Sequence, residues 1–211
     1  MTSDFSYDQP ALDVEYDFVA IIDLLPDEDR ERFDLSGMIK SLFEHESISC
    51  RRFDCANISA FENAVSRLTC SAQSEKFFIH VVGHGSEDGI GIGEFDFLTW
   101  SELRKALVPM NELMSGSLIL NMTTCRGIHA VKSVSIGDTT YPFFGLIGPK
   151  DDLGVADAID INMRLYRKWI AGGSINEIVR AVNAELNQDI IYCISAEGYK
   201  KIRTGQWPST S

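Results

Sequence analysis

Two segments of this 211-residue chain run from an apolar, strand-like stretch directly into a residue able to do acyl chemistry. One is Phe77-Phe-Ile-His-Val-Val-Gly-His84-Gly85, the other Leu118-Ile-Leu-Asn-Met-Thr-Thr-Cys125-Arg126-Gly127. A thiolate attacks a carbonyl carbon well, and a departing peptide amine must collect a proton, which an imidazole can supply. The oxyanion formed during attack needs backbone donors. A glycine directly after the histidine lets the main chain approach a substrate that a side chain would block, so Gly85 N–H and Cys125 N–H are the candidate oxyanion donors. In this chemistry Cys125 is the nucleophile and His84 its acid/base partner, with no metal or cofactor required.

The two ends must meet for this to work, and the surrounding pattern predicts that they do. From Phe18 onward, strand and helix patterns alternate. Phe18-Val-Ala-Ile-Ile22 is a continuous apolar run ending at Asp23, and Leu35, Met38, Ile39, Leu42 and Phe43 follow at helical spacing. A short strand over 48–53 precedes Ser59-Ala-Phe-Glu62, which reads as a capping box opening a helix. The third and fourth strands are 77–82 and 117–121, separated by a helix that Thr99-Trp-Ser-Glu102 caps. Beyond Cys125 the alternation through 131–138 predicts a hairpin leading into the apolar run 143–147. Two helices follow, the second opened by Ser174-Ile-Asn-Glu177, and a last strand covers 190–194. This alternation predicts one α/β domain over 17–211, a mostly parallel sheet with helices on both faces, after a flexible acidic leader over 1–16. Adjacent parallel strands lie about 5 Å apart, and ligands bind at their carboxyl ends, so His84 and Cys125 are expected on one edge.

An apolar strand, then His-Gly, then a second apolar strand ending in Cys resembles the caspase-like fold of caspases, metacaspases, separase and CHAT peptidases. Thr-Thr-Cys125-Arg126-Gly127 matches the second half of the caspase signature around its nucleophile. His84 lies 125 − 84 = 41 residues upstream of Cys125, compatible with one intervening helix. Further on, Phe144-Gly-Leu-Ile-Gly-Pro-Lys-Asp-Asp-Leu and Leu165-Tyr-Arg-Lys-Trp-Ile-Ala-Gly-Gly-Ser-Ile-Asn-Glu are similar to the CHAT pattern. The resemblance implies an α/β/α sandwich and a cysteine endopeptidase of a regulated pathway of the death or defence type. Thr123 stands where caspases carry the glutamine that helps hold an aspartate side chain, so the resemblance does not carry aspartate specificity to this chain.

Composition narrows the partners. A net charge of −12 disfavours nucleic acid and anionic lipid, whose recognition depends on clustered Lys and Arg. No apolar run is long enough to span a bilayer, and the amino-terminal residues lack the basic and apolar regions of a secretion signal. The five cysteines form no CxxC pair and suit a reducing cytoplasm. Cys50, Cys55, Cys70 and Cys193 read as structural, His80 as a hydrogen-bonded strand residue, and His45 and His129 as surface residues. Gly83-His-Gly85-Ser-Glu-Asp88 lacks the last glycine of a dinucleotide loop, and Asp27-Glu28-Asp29 reads as a solvated acidic loop without calcium-hand spacing.

The expected partners are a protein or peptide substrate and a separate regulatory protein. Asp23, Glu87, Asp88, Asp151 and Asp152 all follow strand ends, so a substrate pocket there would be negative and favour Arg or Lys before the scissile bond. Asp151 and Asp152 are the first candidates for that pocket and Asp23 the second. Two other readings stay open on the sequence: an inactive caspase-like scaffold that binds partners through the same cleft, and an acyl hydrolase with another substrate.

Overall fold

The computed structural model of the chain describes residues 14–205. The expected leader lies outside them apart from 14–16, of which Tyr16 is docked, its hydroxyl donating to the Ser117 carbonyl at 2.7 Å. Chain order is β1 (Phe18–Asp23), α1 (Asp27–Phe33), α2 (Leu35–His45), β2 (Cys50–Asp54), α3 (Ile58–Ser71) and β3 (Phe77–Val82). A two-stranded hairpin, β4 (Gly89–Ile92) and β5 (Asp96–Thr99), precedes α4 (Trp100–Leu113) and β6 (Ile119–Asn121). A 3-10 helix (Gly127–Ser133), β7 (Gly145–Pro149), α5 (Val155–Ile170), α6 (Ile175–Leu186), β8 (Ile191–Ser195) and α7 (Ala196–Arg203) complete it.

The main sheet has the order β2-β1-β3-β6-β7-β8, parallel except for β8. Every residue of β1 and β3 is buried, which explains their unbroken apolar runs: a strand covered on both faces has no polar side. Alternate side chains feed two cores. Phe18, Ala20, Ile22, Phe77, Ile79 and Val81 pack under α3 and α4, while Val19, Ile21, Phe78 and Val82 pack under α2, α5 and α6. Each fully buried Val, Ile, Leu or Phe contributes roughly 1.5–3 kcal/mol, so the segment that carries His84 projects from a strand held on both faces.

Local signals in the sequence explain most element starts. Thr99 and Ser174 form the expected capping boxes with Glu102 and Glu177. The box read at Ser59 does not form: Asn57 caps α3 instead, its side chain accepting from Ala60 N–H, because an extended Asn two residues earlier satisfies the same orphan donors. The expected hairpin over 131–138 is also absent. That segment begins as the 3-10 helix, with Ala130 and Val134 buried and Ile136 exposed. Gly127 is pressed so closely on the Met122 carbonyl that only a tight turn fits there. Asp27-Glu28-Asp29 is the first turn of α1 rather than a loop. Pro26 before three acids is a helix-start pattern, its acids facing the positive end of the helix dipole.

Candidate active site

His80 on β3 and Asn121 on β6 are register partners, and the two candidate residues stand four positions beyond them, 80 + 4 = 84 and 121 + 4 = 125. The sheet thus delivers both to one edge, and His84 and Cys125 line a single cleft of about 80 Å³ with Asp29, Val82, Thr124 and Leu153. Gly85 is the point of closest approach. A Cβ there would lie 2.7 Å from Thr124 Oγ1 and nearer still to the Cys125 carbonyl oxygen, so no other residue fits without moving the Cys125 backbone. Among the described residues neither Gly85 N–H nor Cys125 N–H donates to another backbone carbonyl.

The Cys125 thiol is held from the other side of the cleft. Leu153 N–H donates to Sγ at 3.3 Å, and Sγ lies 3.6 Å from the Leu153 carbonyl oxygen. The next residue, Arg126, has a left-handed backbone (φ 54°), and its N–H donates to the Asp151 carbonyl at 3.0 Å, so the turn after β6 is tied to the turn after β7. Beneath it runs a buried polar chain. Thr123 Oγ1 donates to Asn121 Oδ1, Asn121 Nδ2 donates to the Tyr166 hydroxyl at 3.0 Å, and that hydroxyl hydrogen-bonds His80 Nδ1 at 2.7 Å. Burial pushes the His80 imidazole down to about 3, so it is neutral at physiological pH and acts as a structural member of this chain. Burial also raises the thiols of Cys50 and Cys55 to about 12 and that of Cys193 to about 11, which keeps all three protonated and poorly nucleophilic.

On the other wall, His84 Nε2 hydrogen-bonds Asp29 Oδ2 at 2.7 Å. Asp29 was hidden in the sequence as one of three consecutive acids. The available signal was the helix-start pattern, since a helix turn points neighbouring side chains in different directions, whereas a solvated loop implies no such selection. The thiol's contact with Leu153 left no mark in residue types, because it is a backbone contact.

The three proposed substrate carboxylates have different fates. Asp152 accepts from Arg126 Nε at 2.9 Å, and Arg126 Nη1 reaches Glu87 Oε1, also at 2.9 Å. Asp151 is exposed beside them. These acids form a rim next to Cys125 and do hold a guanidinium, that of Arg126. Asp23 is placed differently. Its side chain is wholly buried, accepting from Leu25 N–H and the Ser36 hydroxyl and lying 3.4 Å from both Arg30 Nε and Arg52 Nη2. It does not line the cleft, because a carboxylate so completely buried folds only with its charge compensated from within the chain. A larger hollow of about 250 Å³, between the 3-10 helix and β8, contains neither His84 nor Cys125. Among the described residues no helix is long and apolar enough to cross a membrane.

With six strands in this order, five of them parallel and flanked by helices, the chain has the caspase-like fold. Among solved structures it is similar to caspase-1 from Spodoptera frugiperda, with a TM-score of 0.57 over 90% of this chain and 91% of that one at 11% identity. It is also similar to drICE, with a TM-score of 0.50 over 85% of this chain and 86% of that one at 13% identity. No family model and no curated protein matches the sequence.

Proposed function

We propose that the chain is a cysteine endopeptidase in which Cys125 and His84 act as a dyad. The observation that carries this reading is the meeting of His84 and Cys125 in one cleft, beside a contact between Gly85 and Cys125 where only glycine fits. The thiol proton passes to His84, and the thiolate attacks the peptide carbonyl, forming a C–S bond and an oxyanion that Gly85 and Cys125 N–H groups receive. Collapse restores the C=O and breaks the C–N bond, and the amine leaves with the proton from His84. Water, deprotonated by His84, then hydrolyses the thioester and frees the thiol.

The acidic rim of Asp151, Asp152 and Glu87 supports a preference for Arg or Lys before the scissile bond, because Asp152 and Glu87 hold a guanidinium in the free protein. We read the downstream likeness to CHAT peptidases, and the placing of the activity in a regulated death or defence pathway of the cytoplasm, as belonging to the same proposal. The test is kinetic. Cys125→Ala, His84→Ala and the double variant should each lose turnover to a similar floor, since residues acting as one unit are non-additive. A double variant far slower than either single one would separate their roles.

A further inference from the structure

Nothing in the dyad assigns a role to Asp29, yet its geometry gives it one. Of the three acids in the first turn of α1, Asp27 is 75% exposed at its side chain and pairs with Arg30, while Asp29 is 31% exposed and turns to the cleft. Its Oδ2 lies 2.7 Å from Nε2 of a ring that is otherwise 63% exposed. An exposed imidazole can rotate freely unless a contact holds it, and this is the one hydrogen bond recorded for that ring among the described residues. A carboxylate can only accept, so the ring donates from Nε2, which in the neutral ring leaves the lone pair on Nδ1.

Asp29 is itself positioned from the sheet. Arg30, the next residue, donates to the Leu25 carbonyl at 2.7 Å and stands 3.4 Å from the buried Asp23 at the end of β1. The charge of Asp23, which does not reach the cleft, thereby fixes the helix turn that presents Asp29. Such an arrangement has the same logic in any acyl-transfer site. A base needs its second nitrogen held so that the first carries a lone pair toward the nucleophile, and a fixed negative charge stabilises the imidazolium that forms when the thiol gives up its proton.

Resting on the dyad reading, we infer that Asp29 is a positioning residue that completes a Cys125-His84-Asp29 triad, orienting the ring so that Nδ1 exchanges the proton with Cys125 Sγ. Asp29 remains a carboxylate throughout: the proton that leaves the thiol resides on Nδ1 and departs with the amine, while the Nε2 proton never transfers.

The test uses the full chain with Asp29→Ala, Asp29→Asn and, as a control on the same helix turn, the exposed Glu28→Ala. Two readouts are taken. One is turnover of a fluorogenic peptide with Arg before the scissile bond. The other is the ¹⁵N spectrum of labelled imidazoles, with the His84 signals assigned by their loss in His84→Gln. Asp29→Ala should lower kcat about 10- to 100-fold with KM changed less than about twofold. Asp29→Asn, which can keep the hydrogen bond but not the charge, should fall between, and Glu28→Ala should match the native chain. The native His84 signals should report the Nε2–H tautomer, and Asp29→Ala should show a mixture. An unchanged kcat, or an unchanged tautomer in Asp29→Ala, would overturn the inference, as would a fall in kcat accompanied by a mixed tautomer in Glu28→Ala as well. If Cys125→Ala left peptide turnover intact, the peptidase reading itself would fail, while the His84 spectrum would still decide whether Asp29 sets the ring.

Discussion

Replacing Gly85 by alanine probes the contact on which the site depends. The added Cβ would stand 2.7 Å from Thr124 Oγ1 and closer to the Cys125 carbonyl oxygen, whereas real Cβ contacts essentially never fall under 3.0 Å. The Thr124 hydroxyl can rotate away, but the carbonyl is backbone, so the relief must come from separating the His84-Gly85 segment from Cys125 by a sizeable fraction of an ångström. A misplacement of about 1 Å in a reacting pair lowers the rate by about 10²-fold, and overpacking of this kind destabilises by about 1–3 kcal/mol. Gly85→Ala should therefore lose about 100-fold in kcat/KM while its urea midpoint falls by only a modest amount. Peptide turnover and equilibrium unfolding on the same preparation separate the two effects. A kcat/KM within threefold of the native value would show that the two segments do not need this spacing, and the geometric argument would fall.

The remaining predictions concern charge. Because His80 is held neutral, with its folded value near 3 against 6.5 when unfolded, its contribution to stability is complete above about pH 6.5 and is lost progressively as pH falls toward 3. At roughly 1.4 kcal/mol per pH unit the loss by pH 4.5 is about 2–3 kcal/mol. Urea midpoints at pH 7.5 and pH 4.5 should therefore differ less in His80→Gln than in the native chain, and an equal difference would contradict the burial argument. Arg126→Ala should release Asp152 and Glu87 to substrate, lowering KM several-fold for peptides with Arg before the scissile bond, with the gain shrinking in high salt as the charges are screened. A peptide library still cleaved after the same residues, with KM unmoved in Arg126→Ala and Asp152→Ala, would remove the acidic rim from substrate choice.

What the sequence made legible follows its physical signals. β1 and β3 read clearly because strands buried on both faces must be apolar without interruption, and the cap residues Thr99 and Ser174 announced their helices through side-chain chemistry. The segment after Cys125 misread as a hairpin because alternation over a few residues resembles a strand, whereas the tight Gly127 contact with Met122 that decides the turn is tertiary. The β4 and β5 hairpin and α7 gave too short a period to register. At the site, the strand ends placed His84 and Cys125 together, but Asp29 needed the path of α1 to be singled out from its neighbours. Asp23 illustrates the converse: its place at a strand end was correct, and only the packing of Ser36, Arg30 and Arg52 around it showed that its charge faces inward.

The most direct test of Cys125 as nucleophile is covalent labelling by a peptide electrophile with Arg before its reactive ketone, followed by mass mapping of the adduct. The other thiols provide an internal comparison, since Cys50, Cys55 and Cys193 are suppressed by burial and Cys70 is exposed on α3, away from the cleft. A single adduct is expected on Cys125, retained in Cys70→Ser, lost in Cys125→Ala and slowed at least tenfold in His84→Ala. Labelling spread over Cys70 and Cys125 at equal rates, or unaffected by His84→Ala, would contradict it.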